Sequence, residues 1–129
     1  MNYALVNAFV KLIAPEVTII FSKTEYNSFD FGTDCIYFNP FDRNDKGFMK
    51  HICKKHKCNF VPNFDLNLWT ILHEIGHYYT SDIITFDEEE ESTPCYFDQN
   101  EEWEATEWAI NYIKNHRIFC EIFNKILKM

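Results

Sequence analysis

Five consecutive residues, His73-Glu74-Ile75-Gly76-His77, combine the residue types and spacing best suited to chemistry in this chain. Side chains four apart lie on one face of a helix, so the imidazoles of His73 and His77 can reach one metal ion. Glu74 directly follows the first histidine. A carboxylate there can accept a proton from a water at the metal. The pattern is HExxH, and it favours zinc-dependent hydrolysis of peptide bonds. At this chain's His and Glu content a chance match is expected on the order of 2% of the time, so the surrounding sequence has to decide. Leu68, Trp69, Ile71, Leu72 and Ile75 recur at helical spacing between Leu66 and Tyr79, with no proline. Asp65 stands at the N-cap position. The plain alternative is a buried helix with two incidental histidines, but packing alone does not call for paired histidines with an intervening glutamate.

A catalytic zinc site takes three protein ligands and leaves one position open. Beyond the acidic, loop-like stretch from Thr85 to Asn100 comes a second helical pattern. There Ala105, Trp108, Ala109, Tyr112 and Ile113 share one face. Glu102 and Glu104 both stand early in it. Residues two apart on a helix point roughly 200° apart, so only one of them can face the metal. Glu102 lies three residues before Ala105, on the face that Ala105 and Trp108 mark, and Glu104 lies toward its flank. Glu102 is the preferred third ligand and Glu104 the rival.

These two segments resemble the ImmA/IrrE family of metallopeptidases, which carry HExxH followed by a helix of the form E-x-x-A-[ND]-x-F-A. The similarity spans Leu66 to Ile113 and rests upstream on element order alone. Aligned on Ala105 and Ala109, it places the ligand glutamate at Glu102 and the aromatic position at Trp108. Thr106 departs from the family's Asn or Asp. That position orients the site, and a threonine hydroxyl can still hydrogen-bond. The resemblance implies a zincin-like fold. It also implies cleavage of a protein regulator, such as a transcriptional repressor encoded nearby.

Composition bounds the rest. The 129 residues suit one domain, 1–129, with a single core. Hydrophobic residues make up 47% of the chain, including 13 Phe and 7 Tyr, which is no disordered composition. The net charge of −8 disfavours direct nucleic-acid binding, because a nucleic-acid surface needs a basic stripe. Met1 to Ile13 lacks a basic leader region and a small-residue cleavage site, and apolar runs are too short for a membrane span. Five cysteines without a regular framework fit a reducing compartment. A cytoplasmic protein that does not engage membranes is expected, with its oligomeric state open.

The elements follow from periodicity and breakers. Tyr3 to Ile13 reads as a helix with Ala4, Leu5, Ala8, Phe9, Leu12 and Ile13 on its apolar side, stopped by Pro15. Val17 to Phe21 reads as a strand. Phe29 to Phe31, Gly32-Thr33-Asp34 and Cys35 to Phe38 read as a hairpin. Asp45 to His56 reads as a helix and Lys57 to Asn63 as a connector. The final helical region spans about Gln99 to Leu127, with a break near Asn115 to Arg117. The expected class is α+β: a zincin-like domain whose small mixed or antiparallel sheet packs on the HExxH helix, with a C-terminal glutamate helix.

Three further constellations stand beside the main one. His51, Cys53, His56 and Cys58 offer four ligand types within eight residues. Structural zinc sites draw pairs from separated segments, so a basic helix with one buried cysteine is the plainer assignment. Cys95 could occupy the open zinc position as a thiolate, with a small buried residue as the alternative. Glu88 to Glu91 lacks the spacing of a calcium loop but could favour basic substrates. The tetrahedral oxyanion of peptide hydrolysis needs a donor, for which Tyr78, Tyr79, Tyr96 and His116 are candidates.

The expected machinery is therefore Zn²⁺ held by His73, His77 and Glu102, with Glu74 as general base. The expected substrate is an extended protein or peptide segment laid along a sheet edge, with any repressor a separate chain. Two other classes stay open: a regulatory module that keeps its metal and binds a repressor without cutting it, and a zinc hydrolase of small substrates.

Overall fold

Asn2 starts the first helix. Its side-chain carbonyl accepts the Leu5 backbone N–H at 3.1 Å, satisfying one of the free donors at a helix N-terminus. Helix α1 then runs Tyr3–Ile13 and ends before Pro15, which cannot continue it. The computed structural model describes residues 1–24, 26–40, 66–80 and 99–128. After α1 come strands β1 (Thr18–Phe21), β2 (Ser28–Asp30) and β3 (Cys35–Phe38). Helices α2 (Leu66–Thr80), α3 (Gln99–Asn115) and α4 (Arg117–Leu127) follow. Asp65, the Asp45–His56 helix and the connector after it lie outside the described residues. So do His51, Cys53, His56, Cys58, Glu88 to Glu91, Cys95 and Tyr96.

The sheet is mixed, in the order β1-β3-β2. β1 pairs with β3 in parallel, Ile19 opposite Ile36 and Phe21 opposite Phe38. β2 pairs with β3 antiparallel, as the hairpin requires. Asp30 holds the turn between them. Its carboxylate accepts the Gly32 N–H at 2.9 Å and the Thr33 hydroxyl at 3.0 Å. Asp34 then takes a left-handed conformation at φ 52°, which Asp tolerates better than most residues. Alternation along β3 turns Ile36 and Phe38 into the core.

One apolar cluster joins every layer. Val6 and Val10 from α1 meet Ile19, Ile36 and Phe38 from the sheet, a central band from α2, and Phe123 from α4. Burying each such side chain contributes about 1.5–3 kcal/mol. α2 is the central element: Leu68 to His77 are all buried. The helical region after Gln99 breaks at His116, where the two histidine-flanking helices α3 and α4 meet. Among the described residues no helix is long and apolar enough to cross a membrane.

One sequence expectation is overturned on α1. Helical spacing assigns Ala4, Ala8 and Leu12 to the buried side, yet all three are exposed, Leu12 at 70%. The buried stripe is Val6, Val10 and Ile13, with Leu5 and Phe9 on its flank. Apolar residues cover most of this helix, so its period permits two neighbouring stripes. Contact with β1 and α4 selects between them, through pairs such as Phe9 on Phe123 at 5.2 Å. Val10→Ala should therefore cost about 2 kcal/mol in chemical denaturation. Leu12→Ser should change stability by less than about 0.5 kcal/mol. The reverse order would return the buried face to the Leu12 side.

Candidate metal centre

Among the described elements, α2 and α3 pack together most extensively. Their contacts advance in the same direction along both helices. His73 meets Glu102, Gly76 lies against Ala105, and Tyr79 stacks on Trp108, each pair 29 positions apart in the chain. Ala105 and Ala109 are fully buried, so small residues line the α3 side of this contact.

The helix pair brings four predicted site residues together. Glu102 spans both histidines: its Oε2 lies 2.6 Å from His73 Nε2 and its Oε1 3.2 Å from His77 Nε2. The two imidazoles stand edge to face, 4.7 Å between centroids. Ligand atoms of His73, Glu74 and His77 all fall within 4.8 Å of one another. His73, Glu74 and His77 are buried, whereas 26% of the Glu102 side chain stays accessible. Glu104, the rival for third ligand, is exposed, as is Glu107. The register argued from Ala105 and Trp108 is the one observed.

Thr106 supports His73 from behind. Its hydroxyl lies 3.0 Å from His73 Nδ1 and the residue is fully buried. A proton on Nδ1 donated to Thr106 would leave the Nε2 lone pair for a metal, whereas the 2.6 Å contact with Glu102 is one in which Nε2 donates its own N–H. Threonine thus fills the orienting position that the resemblance assigns to Asn or Asp.

The donor set fits a zinc ion. Ligand atoms around tetrahedral zinc stand about 3.3 Å apart at metal–donor distances of about 2.0–2.1 Å. The contact between His77 and Glu102 already has that spacing. The contact between His73 and Glu102 is tighter, the length of a charge-assisted hydrogen bond. Burial alone would raise the Glu102 pKa. Hydrogen bonds from His73 and His77, and their charge, outweigh it and hold the carboxyl well below the usual range. An ionised carboxylate between two imidazole nitrogens is what a divalent cation needs.

The oxyanion donors named from sequence fare differently. The Tyr78 hydroxyl donates to Glu16 at 2.8 Å, a bond that pushes its pKa up to about 12. The Tyr79 hydroxyl donates to the Ile13 carbonyl at 2.6 Å. Both groups serve the junction of α1 with α2. The helix break falls at His116 itself, so α3 is continuous up to it and His116 stays about 20 Å along the axis from Glu102. It is exposed and stacks on Tyr112. Sequence reasoning missed Phe31, whose ring meets His77 edge to face at 6.2 Å. Phe29 and Phe31 stand two apart in the segment that the sequence marks as the first arm of the hairpin, which was the available signal.

No protein family, curated protein or solved structure matches this chain. The resemblance to ImmA/IrrE metallopeptidases stands on the quoted residues alone.

The geometry separates the carboxylates and the supporting hydroxyl by their effect on metal. Glu102→Ala should weaken zinc binding by more than about 100-fold, Thr106→Val by about 10-fold, and Glu104→Ala by less than about 2-fold. Competition against a chromophoric chelator measures all three. Equal losses from Glu104→Ala and Glu102→Ala would discard this donor set.

Proposed function

We propose that this chain is a cytoplasmic zinc-dependent endopeptidase that cleaves a protein regulator, such as a transcriptional repressor carried on a separate chain. One observation carries the proposal. Glu102 bridges the two HExxH histidines from another helix, while Glu74, a second carboxylate and a buried one, groups with the same two histidines. Two carboxylates at one site can divide the work, one holding the metal and one moving protons.

His73, His77 and Glu102 would hold the ion, with Thr106 keeping the His73 ring in its tautomer. Zinc bound there would supply Lewis acidity, acidifying water and polarising the scissile carbonyl. Glu74 would accept the proton of the attacking water and deliver it to the leaving amine. Its burial shields it from bulk water and keeps proton transfer local.

The substrate assignment rests on the sheet. β2 has a strand neighbour on one side only among the described residues, and Phe31 at its end lies against His77. An extended segment paired along β2 would run past the histidines, with backbone hydrogen bonds supplying register. The repressor assignment comes from the ImmA/IrrE resemblance, and the reducing compartment from the five cysteines.

Glu74→Gln separates cleavage from binding. The amide cannot take the proton from water, so cleavage of a candidate repressor should fall by about 10²-fold to 10⁴-fold. Zinc content and co-purification with the repressor should be retained. Cleavage that persists in the variant would remove Glu74 as the base. A zinc-loaded wild type that binds the repressor and never cuts it would make the protein a regulatory binding module.

A further inference from the structure

At Gly76 α2 lies against α3 with no room for a side chain. A Cβ built on Gly76 would lie 2.5 Å from the Ala105 carbonyl oxygen and 3.0 Å from both the carbonyl carbon and Cα of Ala105. All three are backbone atoms, which no rotamer change can move aside. Glycine inside a helix costs about 1 kcal/mol relative to alanine, so the position is locally unfavourable and needs a tertiary reason.

The reason offered by the geometry is the third ligand. Gly76 sits between His73 and His77 on α2, one residue before the second. Ala105 sits one turn after Glu102 and one residue before Thr106 on α3. The approach that brings Gly76 onto Ala105 therefore also sets how far Glu102 and Thr106 reach. We propose that Gly76 is a positioning residue for the metal centre: its missing side chain fixes the helix separation at which Glu102 closes on both histidines. The inference rests on the zinc reading above.

Magnitudes favour a specific effect over a diffuse one. Relieving a 2.5 Å contact to ordinary van der Waals distance requires α3 to retreat by roughly 1 Å or more, since close-packed backbones cannot absorb it locally. Metal–ligand distances tolerate only about 0.2 Å. Glu102 would retreat with α3. Thr106 would retreat from His73 with it.

The test is a mutant cycle read by zinc affinity, made in trimethylamine oxide, which favours the compact state of destabilised chains. Gly76→Ala should weaken zinc binding about 10-fold to 100-fold in the wild-type background. In a background carrying both Glu102→Ala and Thr106→Val the same substitution should change affinity by less than about 3-fold, because the groups it positions are gone. Equal losses in both backgrounds would overturn the proposal, as would wild-type affinity in Gly76→Ala. A Gly76→Ala chain that stays unfolded in the osmolyte would also overturn it, since the glycine would then serve the fold as a whole. Failure of the wild type itself to bind zinc, or binding that survives His73→Ala, would instead remove the metal reading on which the inference stands.

Discussion

Two helices pass so closely at Gly76 and Ala105 that one of them has no room for a Cβ. Much of the site depends on that contact. The predicted chemistry is divided between α2, which carries His73, Glu74 and His77, and α3, which carries Glu102 and Thr106. α2 alone brings ligand atoms of His73, Glu74 and His77 within 4.8 Å of one another, and α3 adds the carboxylate that faces both histidines. Residues one turn to either side of the crossing do the joining: Glu102 reaches the histidines on one side, and Tyr79 stacks on Trp108 at 5.1 Å on the other. The rest of the fold serves to hold α2 still. The sheet and α1 cover one part of it, and α4 closes the cluster through Phe123 and Leu127.

A buried polar group costs free energy unless it is partnered, and a buried charge costs more. His73, Glu74, His77 and Thr106 all lie in the interior, beside the apolar cluster. For His73 the arrangement offsets that cost within itself. Thr106 faces one nitrogen of His73, and Glu102 faces the other together with His77. In a low-dielectric surround these contacts are stronger than in water, and a lost partner is correspondingly expensive. The same surround would sharpen the field of a cation placed between them. Glu102, the one partly accessible member, is where the centre meets solvent among the described residues.

Much of this was legible in the residues. Pro15 ends α1, the apolar period over Leu66 to Tyr79 marks α2, and the polar run Asn115-His116-Arg117 marks the break between α3 and α4. Ala105 and Trp108 placed Glu102, rather than Glu104, on the inner face. What was not legible depends on tertiary choices. Period alone could not say which stripe of an almost wholly apolar α1 faces inward. The hydroxyls of Tyr78 and Tyr79 could not be assigned before α1 was placed beside them. The parallel pairing of β1 with β3 joins segments with β2 between them in the chain, and no local turn signals it. Gly76 was visible as a glycine inside a helix, but only the position of α3 explains it.

The central claim is that His73, His77 and Glu102 form one zinc centre, and its most direct test is X-ray absorption at the zinc edge on the purified protein. The account predicts a first shell of nitrogen and oxygen alone at about 2.0–2.1 Å, with outer-shell scattering from two imidazoles. The Glu102→Ala variant should lose an oxygen scatterer and keep both imidazoles. A sulfur scatterer at about 2.3 Å would place the metal on cysteine instead, and would contradict the account.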